Sequence, residues 1–396
     1  MSKSNTVFLM RNREYKLLIL GNFESPYIIQ FAKNLKKQNP NAHLFFWGYR
    51  RHESETDRSF EACYDEYYLF DVNHRQDASF FQKVKTIIQL RKHFRKFASG
   101  KHFDYVNIHY VKPDYFFILD YLKKYSSKLV LTPWGSDIYR VSGLYKYFVK
   151  QIFTKSDYTT GADDRFTNDY RRIFQVPKNK MVFCNLGVEA IEYIVKHKDL
   201  IDTNEAKHQL GIDNSYVITC GYNATMAQRH LEIIDAINKI KTYLPLNLLL
   251  LFPLTYPNNP DYVMEIKQRV KEYDLQAVFY EDYVDVSRLF LLRQATDMFV
   301  HIQITDASCA SLREYLLCEK KVVNGGWLHY PELIKNGHKP FFEVKSLEYL
   351  EQSIIDAYKS APIQLEEDLL SFLKEKQWKV RIKDWDNLFS DNLVKR

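Results

Sequence analysis

The chain has 396 residues, of which 46% are hydrophobic and 27% charged, a composition ordinary for a globular protein. This length suggests two domains of about 150 to 200 residues each. No run of about 20 apolar residues occurs, and Met1–Asn5 lacks the apolar core of a signal peptide, so neither a membrane span nor export is predicted. The five cysteines show no paired spacing, which disfavours disulfides and a metal site and indicates a reducing cytoplasm. The net charge of +7 matters only where basic residues cluster.

The first half of the chain alternates apolar runs typical of buried parallel strands with helical patterns. The first run ends at Gly21-Asn22, and Ser25-Pro26 then opens an amphipathic helix that continues to about Lys37. This order is Rossmann-like, although the dinucleotide fingerprint GxGxxG is absent. The predicted strands of this first domain, residues 1–195, are Tyr15–Leu20, Ala42–Tyr49, Glu66–Val72, Asp104–Tyr110, Lys128–Thr132, Asp157–Ala162 and Met181–Val188.

The stretch Lys83–His102 is the most basic part of the chain, with seven lysines and arginines and no acid. Val84, Ile88 and Phe94 are among the apolar residues that recur at helical spacing, which predicts a basic amphipathic helix. Such a helix can lie on an anionic membrane surface, where each basic residue contributes about 1 kcal/mol. The alternative is an ordinary surface helix with a solvated face. Nucleic acid is not favoured, because no nucleic-acid-binding module accompanies the patch.

Two polar residues of the first domain follow predicted strands, at the edge where open α/β sheets bind ligands. His109 stands near the end of one strand and is placed for chemistry, although a lone histidine is often structural. The turn Pro133–Asp137 follows the next strand. Asp137 could orient an acceptor hydroxyl or His109, or it could cap the helix that follows.

The second domain is predicted over residues 205–365, after a polar linking stretch, Lys196–Asn214. Tyr216–Gly221 is its first buried strand, followed by a loop, Tyr222–His230, and an amphipathic helix, Leu231–Thr242. The further strands are Leu246–Phe252, Ala277–Phe279, Met298–Ile302 and Val322–Val323.

The stretch Val300–Tyr330 predicts one strand–loop–helix–strand unit of the second sheet, with its helix beginning at about Ser308. Asp306 lies in the loop beyond the carboxyl end of the strand, and Glu314 follows eight residues later. Backbone amides from Ser308 to Ser311 would point at an anion between these two carboxylates. The alternative is structural, because Ser311 and Glu314 fit a capping box and Asp306 fits a turn.

The spacing of Asp306 and Glu314 resembles the acid-x7-acid signature of retaining, nucleotide-sugar-dependent glycosyltransferases of family 4 and its relatives. By this resemblance Glu314 would hold the ribose of the nucleotide, and Asp306 would contact hydroxyls of the donor sugar. The family usually has Glu at the first position, so Asp306 departs from its pattern. The resemblance implies the GT-B fold, α/β, with two Rossmann-like doubly wound domains facing a cleft. Its C-terminal helix, about residues 373–396 here, would pack back on the first domain.

The donor side also follows from this resemblance. The family usually grips the donor diphosphate with the Arg and Lys of a G-R-x4-K-G loop, which this chain lacks; Arg229 and His230 are the basic residues in its place. An Arg can hold a phosphate with two hydrogen bonds, so Arg229 is the candidate. The pattern G-Y-N-x5-R-H-L-E resembles the fucosyl-amine lipid transferase branch. The predicted donor-binding residues are Asn223, Arg229, His230, Ser308, Ser311 and Glu314.

Related enzymes often carry a His after the fourth strand that touches the donor sugar, which His109 would match. A Gly-Ser-Asp turn like Gly135–Asp137 lines the acceptor side of the cleft in that group. His109, Asp137 and Asp306 are therefore the predicted catalytic residues. The predicted acceptor-side residues are Asn22, Glu24, Trp134 and Ser136.

The function implied by the resemblance is transfer of a sugar from a nucleotide-sugar donor to a lipid-linked glycan acceptor, with retention of configuration, in cell-surface polysaccharide biosynthesis. No cofactor or metal is implied, because basic side chains and helix amides hold the diphosphate. The expected partners include an anionic membrane surface but no nucleic acid, and the expected location is the inner face of the cytoplasmic membrane. The alternative is a GT-B-shaped protein that binds a phosphorylated sugar or acts as a non-catalytic partner. The missing Arg/Lys loop favours that alternative.

Overall fold

The structure is a computed structural model that describes residues 13–50, 58–71, 80–161, 165–306, 309–334, 337–361 and 364–392. Its residues divide into two compact units. The first contains the chain up to Gly187 together with the part from Trp378 onward, and the second is Val188–Gln377. Each unit is a parallel α/β sheet with helices, which confirms the predicted fold class.

The first unit contains a seven-stranded parallel sheet with the order β3-β2-β1-β4-β5-β6-β7. Its strands are β1 (Tyr15–Asn22), β2 (Ala42–Arg50), β3 (Glu66–Asp71), β4 (Phe103–His109), β5 (Ser126–Thr132), β6 (Tyr158–Gly161) and β7 (Met181–Phe183). Its helices are α1 (Pro26–Gln38), α2 (Phe80–Ala98), α3 (Leu119–Tyr125), α4 (Ser136–Tyr139), α5 (Gly143–Lys155) and α6 (Arg165–Phe174). The helix α15 (Trp378–Phe389) also belongs to this unit.

Burial on both faces explains why the strands of the first sheet are continuous apolar runs. Leu17–Leu20 of β1 are all fully buried, and β1 pairs in parallel with β2 on one side and β4 on the other. A strand covered by helices on both faces has no solvent-facing side chain to alternate with. Pro26 at the start of α1 supplies a preset φ where no backbone N–H is needed.

The helix α15 (Trp378–Phe389) packs in the core of the first unit. The Trp385 Nε1 donates to the backbone oxygen of Asn185 (2.8 Å), and the Trp378 Nε1 donates to Gln30 Oε1 (2.8 Å). A Cβ at Gly187 would lie 2.5 Å from the Trp378 ring. The tryptophan spacing of seven residues places both indoles on one buried helix face.

The second unit contains a six-stranded parallel sheet with the order β10-β9-β8-β11-β12-β13. Its strands are β8 (Tyr216–Cys220), β9 (Leu248–Pro253), β10 (Ala277–Tyr280), β11 (Met298–His301), β12 (Lys321–Gly325) and β13 (Phe342–Val344). Its helices are α7 (Glu189–His197), α8 (Thr203–Leu210), α9 (His230–Ile240), α10 (Pro260–Glu272), α11 (Val286–Ala295), α12 (Ala310–Leu317), α13 (Leu350–Lys359) and α14 (Glu367–Lys374). None of the helices in the described part of the chain is long and apolar enough to cross a bilayer.

The stretch Lys196–Asn214, predicted as a polar linker, contains the end of α7 and all of α8. Asp202 caps α8 by accepting a hydrogen bond from the Glu205 N–H (2.9 Å), and Gly211 ends the helix in the left-handed conformation. These helices belong to the second unit, so the part of the predicted first domain from Val188 to residue 195 lies there instead. The polar composition reflects an exposed helix rather than an irregular connection.

Candidate functional site at the carboxyl edges of the two sheets

The carboxyl edge of the second sheet begins at Gly221, which follows β8. Its φ is 63°, and a Cβ there would lie 2.8 Å from the His230 Nε2. Backbone conformation and lack of space therefore both favour glycine. The loop that follows crosses to the segment after β11, where the Ile304 N–H donates to the Ala227 oxygen (2.9 Å).

Arg229 and His230, both predicted at the donor diphosphate, lie in different environments. Arg229 precedes α9 in a left-handed conformation (φ 60°), and its guanidinium carbon lies 5.2 Å from the centroid of the Trp327 ring. His230 is fully buried, with Nδ1 3.3 Å from the Tyr262 hydroxyl. Burial lowers the pKa of His230 to about 3, so its imidazole is neutral near pH 7. Arg229 is therefore the member of the pair that carries a charge for an anion.

Asn223, also predicted on the donor side, shapes the same loop. Its Oδ1 accepts hydrogen bonds from the Thr225 N–H (3.0 Å) and from the Thr225 hydroxyl (2.7 Å). This local pairing is an Asx turn, which fixes the backbone between β8 and α9. Asn223 is buried, and besides its own loop it makes a side-chain hydrogen bond to Tyr256, which follows β9.

A buried amide, Gln303, joins three segments of this edge. Its Oε1 accepts hydrogen bonds from the Gln228 Nε2 (2.8 Å) and the Tyr222 hydroxyl (3.3 Å). Its backbone oxygen accepts from the Trp327 Nε1 (2.7 Å). The Gln303 Nε2 is buried and has no hydrogen-bond partner among the described residues. The network thus ties the Arg229–Trp327 pair to the end of β11.

Asp306 lies just beyond β11, as the resemblance requires. Its Oδ2 accepts a hydrogen bond from the Tyr330 hydroxyl (2.6 Å) and lies 3.7 Å from the His301 Nε2. The same hydroxyl lies 3.1 Å from the His301 Nε2. Burial, followed by the Asp306 charge, raises the pKa of Tyr330 well above its ordinary value, so the hydroxyl keeps its proton. Asp306 is consequently an oriented carboxylate.

The helix α12 begins at Ala310, later than the predicted start near Ser308, which lies outside the described residues. Its N-cap is Cys309, whose Sγ accepts from the Leu312 N–H (3.3 Å). Ser311 is therefore inside the helix, and the capping-box alternative for Ser311 and Glu314 does not describe how this helix is capped. Ser311 is buried, and its Oγ accepts from the Arg293 Nη2 (3.3 Å).

Glu314, the predicted ribose ligand, is buried in an ion pair. The Arg293 Nε donates to Glu314 Oε2 (2.9 Å), and both side chains are 5% exposed or less. The Arg293 Nη1 also donates to the Tyr315 hydroxyl (2.9 Å), so this guanidinium binds three groups of α12. A ribose would have to share Glu314 with Arg293.

At the carboxyl edge of the first sheet, His109 is the end of a buried hydrogen-bond chain. The Thr132 hydroxyl donates to Asn107 Oδ1 (2.8 Å), and the Asn107 Nδ2 lies 3.1 Å from the His109 Nε2. Because Asn107 accepts from Thr132 through its oxygen, its nitrogen donates to Nε2, which places the His109 proton on Nδ1. Burial lowers the pKa of His109 to about 3. His109 is fully buried, and its Nδ1 has no hydrogen-bond partner among the described residues, so the N–H lies inside the first unit and not on an accessible surface.

Asp137 organises the loop that follows β5. Its carboxylate accepts hydrogen bonds from the backbone N–H groups of Val111 (2.8 Å), Trp134 (3.0 Å) and Gly135 (2.7 Å). It makes no side-chain cap at the start of α4, whose N-cap is Gly135. Burial raises the pKa of Asp137 to about 6, against the opposing effect of these N–H groups. Its observed contacts hold two loops together.

The residues predicted on the acceptor side lie at this edge too. Trp134 is half-buried and meets the rings of Tyr27 (5.5 Å between centroids) and Tyr110 (6.1 Å). The Ser136 hydroxyl donates to the Tyr110 hydroxyl (3.1 Å). Asn22 and Glu24 follow β1, where Asn22 Oδ1 accepts from the Glu24 N–H (3.4 Å); both are partly exposed.

The structure therefore gathers those predicted residues that it describes at two edges, one in each unit, and adds residues that the sequence analysis missed; Ser308 lies outside the described residues. The missed residues are His301, Gln303, Trp327 and Tyr330 around Asp306 and Arg229, Arg293 beside Glu314, and Asn107 with Thr132 beside His109. The rule that singled out His109, a histidine at the end of a strand, applies equally to His301 after β11. The Arg293 pair crosses two helices and carries no local signal.

Comparisons with known proteins agree with this fold. Residues 16–160, in the first unit, match the family described as glycosyl transferase 4-like. No curated protein sequence matches the chain significantly.

Several solved structures resemble nearly the whole chain. A glycosyltransferase from Rickettsia africae is 13% identical with a TM-score of 0.68, covering 97% of this chain and 100% of its own. Anabaena HepE in complex with UDP and glucose is 16% identical with a TM-score of 0.59, covering 95% of each chain. WaaG, a glycosyltransferase involved in lipopolysaccharide biosynthesis, is 12% identical with a TM-score of 0.62, covering 94% and 99%. At these identities the likeness establishes the fold, which is that of GT-B glycosyltransferases.

Proposed function

We propose that the protein is a glycosyltransferase that moves a sugar from a nucleotide-sugar donor to a glycan acceptor, with retention of configuration and without a catalytic metal. The observation that carries the proposal is the convergence of Asp306 and Arg229 at the carboxyl edge of the second sheet, where open α/β sheets bind nucleotides. Solved structures of the same fold bind UDP and glucose.

The chemistry of this pair fits departure of a nucleoside diphosphate from a sugar. Arg229 offers a permanent charge and paired N–H donors for the developing negative charge on the diphosphate. Asp306, oriented by Tyr330, would accept hydrogen bonds from sugar hydroxyls.

A thermal-shift screen of nucleotide-sugars followed by a transfer assay tests the donor proposal. We expect a stabilising nucleotide-sugar whose sugar reaches an acceptor, and NMR of the product should show the anomeric configuration of the donor. The isosteric variant Asp306→Asn should weaken binding of the nucleotide-sugar more than of the free nucleoside diphosphate. Equal weakening of both ligands would place Asp306 away from the sugar.

The lipid-linked acceptor and its membrane surface rest on α2. The apolar stripe of this helix divides: Phe94 and Phe97 are buried in the unit, whereas Phe81 is 83% and Ile88 60% exposed. The same helix carries four exposed basic residues near these exposed apolar side chains: Lys85, Lys92, Arg95 and Lys96. Exposed apolar side chains between basic ones suit the boundary between anionic headgroups and acyl chains. We infer that this helix brings the enzyme to the inner face of the cytoplasmic membrane, where polysaccharide precursors are lipid-linked.

Sedimentation with vesicles tests this surface. The wild type should bind anionic vesicles at low salt and leave them at high salt, because the Debye length falls from about 10 Å at 0.1 M to about 3 Å at 1 M. Reversing Lys85, Lys92, Arg95 and Lys96 to Glu should abolish binding. Arg91 is left unchanged because it pairs with both oxygens of Asp120 (2.9 and 2.7 Å).

A control variant carries the same four charge reversals on other helices, at the exposed residues Lys37, Lys271, Lys359 and Lys379. It should bind vesicles like the wild type. If both variants lose binding equally, net charge rather than α2 causes attachment. If the wild type ignores anionic vesicles at low salt, a water-soluble glycan becomes the better acceptor.

The second candidate is a non-catalytic or phosphorylated-sugar-binding protein of the same fold. The observation that favours it is the loss of charged groups at the donor edge, since His230 is neutral and Glu314 is paired with Arg293. Such a protein would be stabilised by a sugar phosphate as strongly as by any nucleotide-sugar and would show no transfer. If the protein binds a nucleotide-sugar more tightly than a sugar phosphate and also transfers the sugar, it is a glycosyltransferase and not the second candidate.

A further inference from the structure

Three side chains with metal-binding chemistry meet at the end of β11. A ring nitrogen of His301, a carboxylate oxygen of Asp306 and the Sγ of Cys309 all lie within 4.8 Å of one another. His301 and Cys309 are buried, and the His301 Nδ1 has no hydrogen-bond partner among the described residues. One ring nitrogen of His109 and one of His230 are likewise buried without a partner in the described part of the chain, so what distinguishes His301 is the carboxylate and the thiol beside it.

We propose that His301, Asp306 and Cys309 bind a divalent ion of the zinc class. Nitrogen, carboxylate and thiolate donors together form the ligand set of zinc sites with three protein ligands. The thiol and imidazole exclude Mg²⁺ and Ca²⁺, which take oxygen ligands. The Cys309 thiol proton leaves to solvent when the sulfur binds the ion.

The distances suit such an ion after small movements. Ligand atoms at about 2.0 to 2.3 Å from a tetrahedral zinc lie roughly 3.3 to 3.7 Å from each other. A ring nitrogen of His301, the Asp306 carboxylate and the Cys309 thiol lie within 4.8 Å of one another, so they need to close by about 1.5 Å at most. The thiol projects from the N-cap of α12, where it accepts from the Leu312 N–H (3.3 Å). The ion would thereby join the end of β11 to the start of α12.

Tyr330 supplies the surrounding support that metal ligands need. Its hydroxyl donates to Asp306 Oδ2 (2.6 Å), so it accepts from the His301 Nε2–H (3.1 Å) and leaves Nδ1 as the ring nitrogen available to bind an ion. Carboxylates that bind zinc are themselves held by hydrogen bonds, and loss of such a partner typically costs 10- to 100-fold in affinity. A tyrosine placed on two of the three ligands is the arrangement expected around a metal site.

This inference goes beyond the proposed transfer reaction and does not depend on it. The ion would fix the start of α12, and its fourth position would be left to water because the cluster supplies three protein ligands. The two proposals share Asp306, but they fail separately, because metal content reports on the cluster and nucleotide-sugar binding reports on the donor site.

Metal content of the full chain, purified without a metal-affinity column, provides the test. We expect about one zinc per chain by mass spectrometry. After chelation, Co²⁺ should restore one equivalent and give the thiolate-to-cobalt charge-transfer band. Cys309→Ser should remove that band and lower metal affinity at least tenfold. Cys318→Ser is the matched control, since Cys318 is also buried but lies outside the cluster.

A second variant protects the test against misfolding. Tyr330→Phe removes a hydroxyl without changing a ligand and should weaken the affinity by about 10- to 100-fold while keeping the cobalt band. Two results would overturn the proposal. One is a folded wild type that neither contains nor takes up Zn²⁺ or Co²⁺ at micromolar concentration. The other is binding that Cys309→Ser and Cys318→Ser leave equally intact.

Discussion

The carboxyl edges of the two sheets are built from the same topology but from different chemistry. At the first edge a buried carboxylate, Asp137, accepts from three backbone N–H groups, and His109, with a pKa of about 3, is neutral and lies beside Asn107. At the second edge Arg229 carries a charge beside Trp327, and Asp306 is held by Tyr330. A guanidinium suits a diphosphate, whereas a buried carboxylate and a neutral imidazole offer it no positive charge. This difference supports the proposal that the nucleotide binds to the second unit.

The second edge contains one partly exposed charge and one buried ion pair. Arg229 is partly exposed and stacks on a ring, whereas Arg293 and Glu314 are buried and pair with each other. A fully buried pair is costly to break, because removing one partner leaves the other charge without compensation. Exposure therefore distinguishes a candidate ligand from a structural residue better than spacing does.

The largest expected effect is on stability, from Glu314→Gln. This substitution leaves the Arg293 charge buried without its carboxylate, so the free energy of unfolding should fall by about 3 to 5 kcal/mol. The family resemblance alone predicts the opposite: weaker donor binding with stability unchanged. Denaturant unfolding of the variant, alongside donor affinity at a temperature where it is folded, separates the two.

The control for that prediction is the double variant Arg293→Met with Glu314→Gln. With both charges removed, much of the lost stability should return, because neither ion is then buried alone. A double variant as unstable as the single one would contradict the ion-pair explanation. A single variant that is stable yet binds donor poorly would restore the ribose role of Glu314.

Sequence patterns predicted the fold because parallel strands buried on both faces are continuous apolar runs, as in Leu17–Leu20. They also placed His109 and Asp306 at strand ends, because ligands bind at that edge whatever the sequence. They missed α8, whose polar face looks like a linker, and they missed Arg293, whose partner is 21 residues away. Pairing across helices depends on tertiary packing, which no local pattern records.

The next effect concerns Arg229. Arg229→Ala should weaken binding of a nucleoside diphosphate by about 1.5 to 3 kcal/mol, the contribution of a hydrogen bond to a charged group, and leave the free nucleoside unaffected. Titration calorimetry of UDP against uridine measures the difference. Arg229→Lys is the control, since it keeps the charge and loses the paired donors. If Arg229→Ala weakens binding of UDP and of uridine equally, Arg229 does not contact the diphosphate.

The two buried histidines predict how stability changes with pH. Folding lowers the pKa of His109 and of His230 from an ordinary 6.5 to about 3, so the unfolded chain binds more protons between these values. Their stabilising contribution is therefore present above pH 6.5 and lost as pH falls towards 3. As pH falls from 6.5 to 5, each of these histidines should lower the free energy of unfolding by about 2 kcal/mol.

Denaturant unfolding at pH 7 and pH 5 measures that loss. His230→Gln should reduce the difference between the two pH values, whereas the same substitution at His329, an exposed histidine, should not. An unchanged difference in His230→Gln would mean that other groups set the acid sensitivity.

The smallest expected effect tests the hydrogen-bond chain that orients His109. Thr132→Val removes the hydroxyl that donates to Asn107 Oδ1, which should cost about 1 kcal/mol of stability. Thr159→Val is the matched control, because the Thr159 hydroxyl is buried in the same sheet without a hydrogen-bond partner among the described residues. Removal of the Thr159 hydroxyl should leave the free energy of unfolding nearly unchanged.

The informative readout is the tautomer of His109, which long-range ¹H–¹⁵N NMR reports directly. In the wild type the proton should be on Nδ1, since the Asn107 Nδ2 donates to Nε2. Without the Thr132 hydroxyl the Asn107 amide is free to turn over, so Thr132→Val should show a fraction of the Nε2–H form, while Thr159→Val keeps the wild-type signal. A wild type already protonated on Nε2 would mean that the amide has the opposite orientation. The buried Nδ1 of His109 would then be a hydrogen-bond acceptor instead of a donor, and the chain from Thr132 through Asn107 would not set the tautomer of His109.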